Sequence, residues 1–139
     1  MTVDAFAAFA AAPSNRLLGA VLRERSAARV VVELPVRAEL LQEAGIVQGG
    51  FLTALADTAA VYVLWPDLVP EWTMTGTDCT MNFLSAATAD AGPITAVATP
   101  LRVGRTLAIV ESALEQAGRL VAKGTFRFLV RAVAPVDRL

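Results

Sequence analysis

Between Glu43 and Asp67 the chain carries one charged residue. The stretch VQGGFLTALADTAAVYVL, residues 47–64, sets Asp57 among Leu55, Ala56, Ala59, Ala60, Val61 and Val63. A helix apolar on nearly every side has to be wrapped by other protein, and an aspartate is almost never fully buried without a partner. This one segment therefore constrains both what must surround it and what its carboxylate is for.

The wrapping is not lipid. The longest apolar run, Phe51 to Trp65, is shorter than the roughly 18 residues a spanning helix needs, it contains Asp57, and it starts after Gly49-Gly50. The N-terminal MTVDAFAAFAAAPSNR is alanine-rich like a signal core, but Asp4 stands where such a segment is basic, so a cytoplasmic protein is the expectation. At 139 residues the chain fits a single domain, 1–139, with residues 1–14 as a helical extension. Hydrophobic residues make up 55% of it, more than one small domain easily hides, which points to a subunit interface.

Composition removes several chemistries. There is no histidine, so Ser-His-Asp triads, Cys-His pairs, His-ligated zinc and histidine bases are excluded. The single cysteine, Cys79, rules out an internal disulfide and a multi-cysteine metal site, and without histidine to activate it Cys79 reads as a core residue. A net charge of −1 with scattered Arg and Lys leaves no footprint for nucleic acid. Catalysis here has to use carboxylates, amides, hydroxyls and backbone.

Along the chain, residues 3–11 are helix-prone and Pro13-Ser14-Asn15 is expected to stop them. RLLGAVLRE and AARVVVELPV, separated by RSA, read as a hairpin. Residues 37–46 connect to the helix, which runs from Gly49 or Gly50 to Trp65 and is expected to end at Pro66. Four strand-like stretches follow, 72–84, 93–103, 106–116 and 119–132. In the first, Thr73, Thr75, Thr77 and Cys79 alternate with Trp72, Met74, Gly76 and Asp78; in the second, Pro100 implies a bend or an edge. In the last, Phe126, Phe128 and Val130 share one face and Thr125, Arg127 and Arg131 the other. A helix with only strands to cover it implies an α+β fold, one curved antiparallel sheet around a central helix.

Asp57 then has several readings: a helix face turned to solvent, a pair with Arg105 or Arg127, a bond to the Thr53 hydroxyl, or a working carboxylate. Gly49 and Gly50 leave bare N–H groups at a helix N-terminus, where the dipole favours negative charge and an oxyanion can sit; they also permit a tight turn. Asp57 lies eight residues beyond Gly49, about 12 Å along the axis. One carbonyl cannot touch both. If both serve one reacting carbon, the Asp57 involved belongs to a second copy whose central helix lies antiparallel to the first.

GIVQGGFLTALADTAA, TMTGTDCTMNFLSAA, GRTLAIVESAL and GRLVAKGTFRF together resemble the hotdog-fold acyl-CoA thioesterases of the PaaI and 4-hydroxybenzoyl-CoA thioesterase type, over about residues 30–131. The resemblance implies hydrolysis of an acyl-CoA, aromatic or medium-chain, to acid and CoA, with no cofactor and no metal, in dimers with a continuous sheet, often paired into tetramers. It implies that Asp57 is nucleophile or general base, that the Gly49 N–H polarises the thioester carbonyl with Gly50 beside it, and that Gln42, 15 residues before Asp57, bonds near the thioester or the attacking water. Gln48 stands where many relatives have histidine, so it can position but not titrate. Where some relatives carry serine this chain has Gly76, flanked by Thr75 and Thr77 as stand-ins. Arg105 resembles a position at the CoA rim, where a cation meets phosphate. Two other activities fit such a fold: a non-catalytic acyl-CoA binding or regulatory module, and an enoyl-CoA hydratase or dehydratase, which in that branch pairs an acid with the histidine this chain lacks.

Overall fold

The hairpin and the four later stretches pair into one six-stranded antiparallel sheet, in the order β1-β2-β4-β5-β6-β3. The computed structural model describes residues 4–68 and 72–132; residues 1–3 of the N-terminal extension lie outside them. The strands are β1 (Val21–Arg25), β2 (Val30–Leu34), β3 (Trp72–Phe83), β4 (Ile94–Val103), β5 (Leu107–Gln116) and β6 (Arg119–Ala132). Their inward positions follow the two-residue period: Val30, Val32 and Leu34 on β2, Ile94, Ala96 and Ala98 on β4, Phe126, Phe128 and Val130 on β6 are all buried.

Against that face lies α3 (Gly49–Leu68), touching β2, β3, β4, β5 and β6. Leu52, Leu55, Ala56, Ala59, Ala60 and Val63 form its buried stripe, and the three alanines let helix and sheet approach closely. The Ser112 hydroxyl of β5 is fully buried and donates to the Ala56 carbonyl at 2.8 Å, fixing the helix to the sheet one residue before Asp57.

The first helix, α1 (Ala5–Ala11), capped by the Asp4 carboxylate, ends before Pro13 as expected, at an extended Ala12. Two local expectations are corrected. The chain turns straight into a second helix, α2 (Pro13–Leu18), with Pro13 at its first position, where a missing N–H costs nothing. RLL of the first strand-like run is therefore helical, and β1 begins only at Val21. Pro66 does not end α3, which continues to Leu68. Proline has no N–H for the Tyr62 carbonyl, and Arg25 supplies the substitute: its Nε donates to that carbonyl at 2.9 Å and its Nη2 to the Val63 carbonyl at 3.1 Å.

The alternation in β3 is also broken. Its register against β6 slips between Gly76 and Asp78, so Thr77 is a bulge residue. Beyond it Cys79 pairs with Phe126 and sits on the helix side of the sheet, opposite to the grouping with Thr73 and Thr75. Cys79 is nevertheless exposed, not core, because β3 is a free edge. Pro100 marks a bend as expected: the β4–β5 register shifts between Pro100 and Arg102, and Pro100 lies beyond the stretch of β4 that β2 pairs.

The β3–β6 seam leaves no room at Gly124. A Cβ there would overlap Met81 Sδ and come within 3.1 Å of the Thr80 carbonyl oxygen. Gly124→Ala is expected to lower stability by about 1–3 kcal/mol, read from urea denaturation midpoints at unchanged slope.

Candidate active site

The start of α3 is held from three directions. Gln48 N–H donates to Leu40 O at 2.9 Å and Val47 N–H to Ala87 O at 2.8 Å, while the Gln48 carbonyl accepts from Phe51 N at 3.0 Å. Gly45, with φ at 81°, closes the tight loop in which Gln42 N–H donates to the Ile46 carbonyl at 2.8 Å and Leu41 pairs with Val47. The N–H groups of Gly49 and Gly50 have no acceptor among the described residues. They are the donors a helix N-terminus leaves over, and they lie bare.

Gly49 is glycine for a reason outside the turn. The Phe83 ring, at the end of β3, stands 3.2 Å (Cε1) and 3.3 Å (Cζ) from where a Gly49 Cβ would be. Gly49, Phe83 and Gln42 line one cavity of about 420 Å³ with Leu52 and Ala87. Gln42 Oε1 accepts from Ala44 N–H, which fixes the amide and leaves Nε2 without an acceptor among the described residues. Phe83, 55% exposed, was missed in the sequence; its one signal was an aromatic at the end of an alternating strand.

Asp57 lies elsewhere. It borders two cavities on the open face of α3: one of about 450 Å³ at the β3 edge, shared with Gly50, Thr53, Thr77, Cys79 and Arg127, and one of about 510 Å³ under α2. None of these three cavities is lined by both Gly49 and Asp57, although Gly50 lines the Asp57 cavity at the β3 edge. The Asp57 carboxylate has no hydrogen-bond or ion-pair partner among the described residues. The Thr53 hydroxyl donates back to the Gly49 carbonyl at 3.1 Å, and Arg127 faces Asp78 at 3.7 Å. In the single chain the face carrying Asp57 is open.

Of the other candidates, Gly50 and Thr77 join Asp57 in the edge cavity. Gln48 is exposed, its Oε1 folded to 2.8 Å from a Cβ position on Gly50. Thr75 pairs with Leu129 on the outer face of the sheet, and Arg105 is exposed in the β4–β5 turn; neither lines these cavities. Among the described residues no three His, Cys, Asp or Glu side chains are grouped to hold a metal ion, and no helix is long and apolar enough to cross a membrane.

Asp57 is exposed in the single chain, yet partial desolvation against the fold raises its carboxyl above the 3.8 of a free side chain. Its ionised form is disfavoured in the fold, so the stability this group contributes is full below pH 3.8 and is lost as pH rises through its folded-state value. Asp57→Asn is therefore expected to melt higher than the native chain above that value, and the difference to narrow as pH falls toward 3.8, as followed by thermal melts across pH.

The thioesterase superfamily profile matches residues 44–123, more than half of the chain. No curated protein matches it. Among solved structures, AziG of S. sahachiroi is 30% identical, with a TM-score of 0.83, over 88% of this chain and 98% of its own. A mutant of the phenylacetic acid degradation protein PaaI from Thermus thermophilus is 27% identical, with a TM-score of 0.77, over 85% of this chain and 98% of its own. A thioesterase from Haemophilus influenzae, at 21% identity and a TM-score of 0.84 over 94% and 93%, speaks to the fold. A matching family profile, six antiparallel strands around a central helix and bare donors where that helix begins agree: the chain belongs to the thioesterase superfamily, with the hotdog fold.

Proposed function

We propose that the protein hydrolyses an acyl-CoA thioester to the free acid and CoA, in a homodimer or dimer of dimers whose sites lie between subunits. The observation that carries this reading is that Gly49 and Asp57 line different cavities of one chain, which supports a site completed by a second copy. Two central helices side by side and antiparallel bring Gly49 of one copy to Asp57 of the other, twice by symmetry. The free β3 edge supports the same pairing, since its unpaired N–H and C=O groups suit a second β3 and a continuous sheet.

In this arrangement the thioester oxygen accepts from the Gly49 N–H, with Gln42 from the same cavity bonding nearby and Gln48 positioning the helix start. Asp57 either takes the proton of the water that attacks the thioester carbon or attacks it directly. Both routes use the ionised carboxylate, and its poor solvation raises its basicity. The tetrahedral centre collapses with loss of CoA thiolate, a good leaving group that needs no strong acid; on the direct route this leaves an anhydride between the acyl group and Asp57, which a water then hydrolyses to the free acid and the free carboxylate. Thr77 sits at the rim of the Asp57 cavity; Arg105 and Thr75 take a part only if the CoA tail runs over the outer turn.

The test is thiol release from aryl-acetyl, benzoyl and medium-chain acyl-CoAs, phenylacetyl first because one neighbour is named for phenylacetic acid degradation. Turnover of one class supports the reading. No turnover of any, with binding retained, gives the non-catalytic module its place.

A further inference from the structure

We propose that Gln116 is a positioning residue for the oxyanion donor: from the end of β5 its carboxamide clamps the loop between β3 and β4, and through that loop it fixes the Gly49 N–H. The inference rests on the reading of Gly49 as donor to the thioester oxygen, and adds what holds that donor in place.

Gln116 is the last residue of β5 and pairs with Ile94, so its side chain falls on the helix side of the sheet, where it is 3% exposed. Glutamines are mostly exposed in folded proteins, and one this deep has to bond its amide fully. Oε1 accepts from Thr88 N–H at 2.9 Å, and Nε2 donates to the Thr88 carbonyl at 2.7 Å and to the Gly92 carbonyl at 2.8 Å. The amide thus grips both backbone polar groups of Thr88 at once, as a neighbouring strand would. The Thr88 side chain takes no part in this, since its hydroxyl donates to Asp90 within the same loop at 2.9 Å.

From Thr88 the hold passes to the start of α3. Thr88 forms an antiparallel bridge with Ile46, and the carbonyl of the preceding Ala87 accepts from Val47 N–H at 2.8 Å, two residues before Gly49. The helix entry is therefore set between two carbonyls, Leu40 O on Gln48 N–H and Ala87 O on Val47 N–H, and the second is only as fixed as its loop. The near half of that loop is tied to β6: Leu84 and Ser85 N–H donate to Val121 O, Ser85 Oγ to Leu120 O at 2.7 Å, and Arg119 Nη2 to Ala86 O at 3.0 Å. The far half, from Thr88 to Gly92, is tied to the sheet by Gln116. Leu84 to Ala87 also wall the cavity that Gly49 lines, so one clamp sets both the donor and the wall beside it. A donor to a developing oxyanion works only when it is already aimed, so a small misplacement lowers rate more than binding.

Gln116→Met keeps the length of the side chain and removes its three bonds. Gln116→Asn keeps the amide and draws it back by one methylene, a second variant should the first fail to fold. Either is expected to lower kcat on the best acyl-CoA by about 10- to 100-fold, with KM within about twofold. A double-mutant cycle with Gly49→Pro, which removes the N–H itself, separates positioning from support: in that background the Gln116 change is expected to cost less than about threefold more. Amide hydrogen exchange reads the same link without turnover. Val47 N–H is expected to exchange at least about tenfold faster in the variant, while amides in the middle of β5 and β6 keep their rates. Full additivity in the cycle overturns the proposal. So does unchanged protection of Val47, or protection lost equally along β5 and β6, which would make Gln116 a prop of the whole fold. If Gly49→Pro costs nothing, or no acyl-CoA is hydrolysed, while Val47 is freed, the clamp stands and the reading of Gly49 as donor falls.

Discussion

Replacing Asp57 by Asn is expected to lower kcat by about 10²- to 10⁴-fold, the range for loss of a positioned proton acceptor, while oligomer size and fold are kept. The side chain has no partner among the described residues, so the amide breaks no bond and removes a charge that the fold disfavours. The variant should therefore be slower and more heat-stable at once, above the pH where the native carboxyl ionises. Native kcat/KM should rise with pH through an ionisation above 3.8, because the proton acceptor must be in its charged form. A purely structural Asp57 would give the stability change without the loss of rate.

Gly49→Pro should cost about 10²- to 10³-fold in kcat, as expected for removing one oxyanion donor. Gly49 is the first residue of α3, where proline's fixed φ suits the helix and its missing N–H breaks no intrahelical bond. Gly49→Ala is the control. It brings the same Cβ against the Phe83 ring but keeps the N–H, and the exposed ring has room to move. A large deficit for Pro with a small one for Ala assigns the effect to the donor; equal deficits assign it to crowding by Phe83.

The strands were legible because their faces differ. Phe126, Phe128 and Val130 alternate with outward residues, and Ala117-Gly118 marks the turn where φ is positive for both. The central helix was legible from its apolar length. What escaped depended on groups far apart in sequence: the continuation through Pro66 relies on Arg25, which takes the orphaned carbonyl 37 residues later in the chain. The register of β3 escaped because one bulge at Thr77 moves every later side chain to the other face, which is why Cys79 faces the Asp57 cavity.

At the site, the residue types were readable and the grouping was only half so. Gln42 with Gly49, and Gly50 and Thr77 with Asp57, come together in the structure, whereas Thr75 falls on the outer face and Arg105 in a distant turn. The cavity under α2 had no local signal. It arises because Arg37 reaches back to carbonyls 19 and 20 residues earlier and docks a helix whose first residue looked like a breaker.

The claim that one site is built from two copies is tested most directly by complementation. Asp57→Asn and Gly49→Pro chains carrying different affinity tags are co-expressed, and the mixed dimer is purified through both tags. Such a dimer holds one site with both defects and one with none, so it should recover about half of the native rate from two nearly inactive parents. A mixed dimer as inactive as its parents would contradict the shared site and put Gly49 and Asp57 to work, if at all, within a single chain.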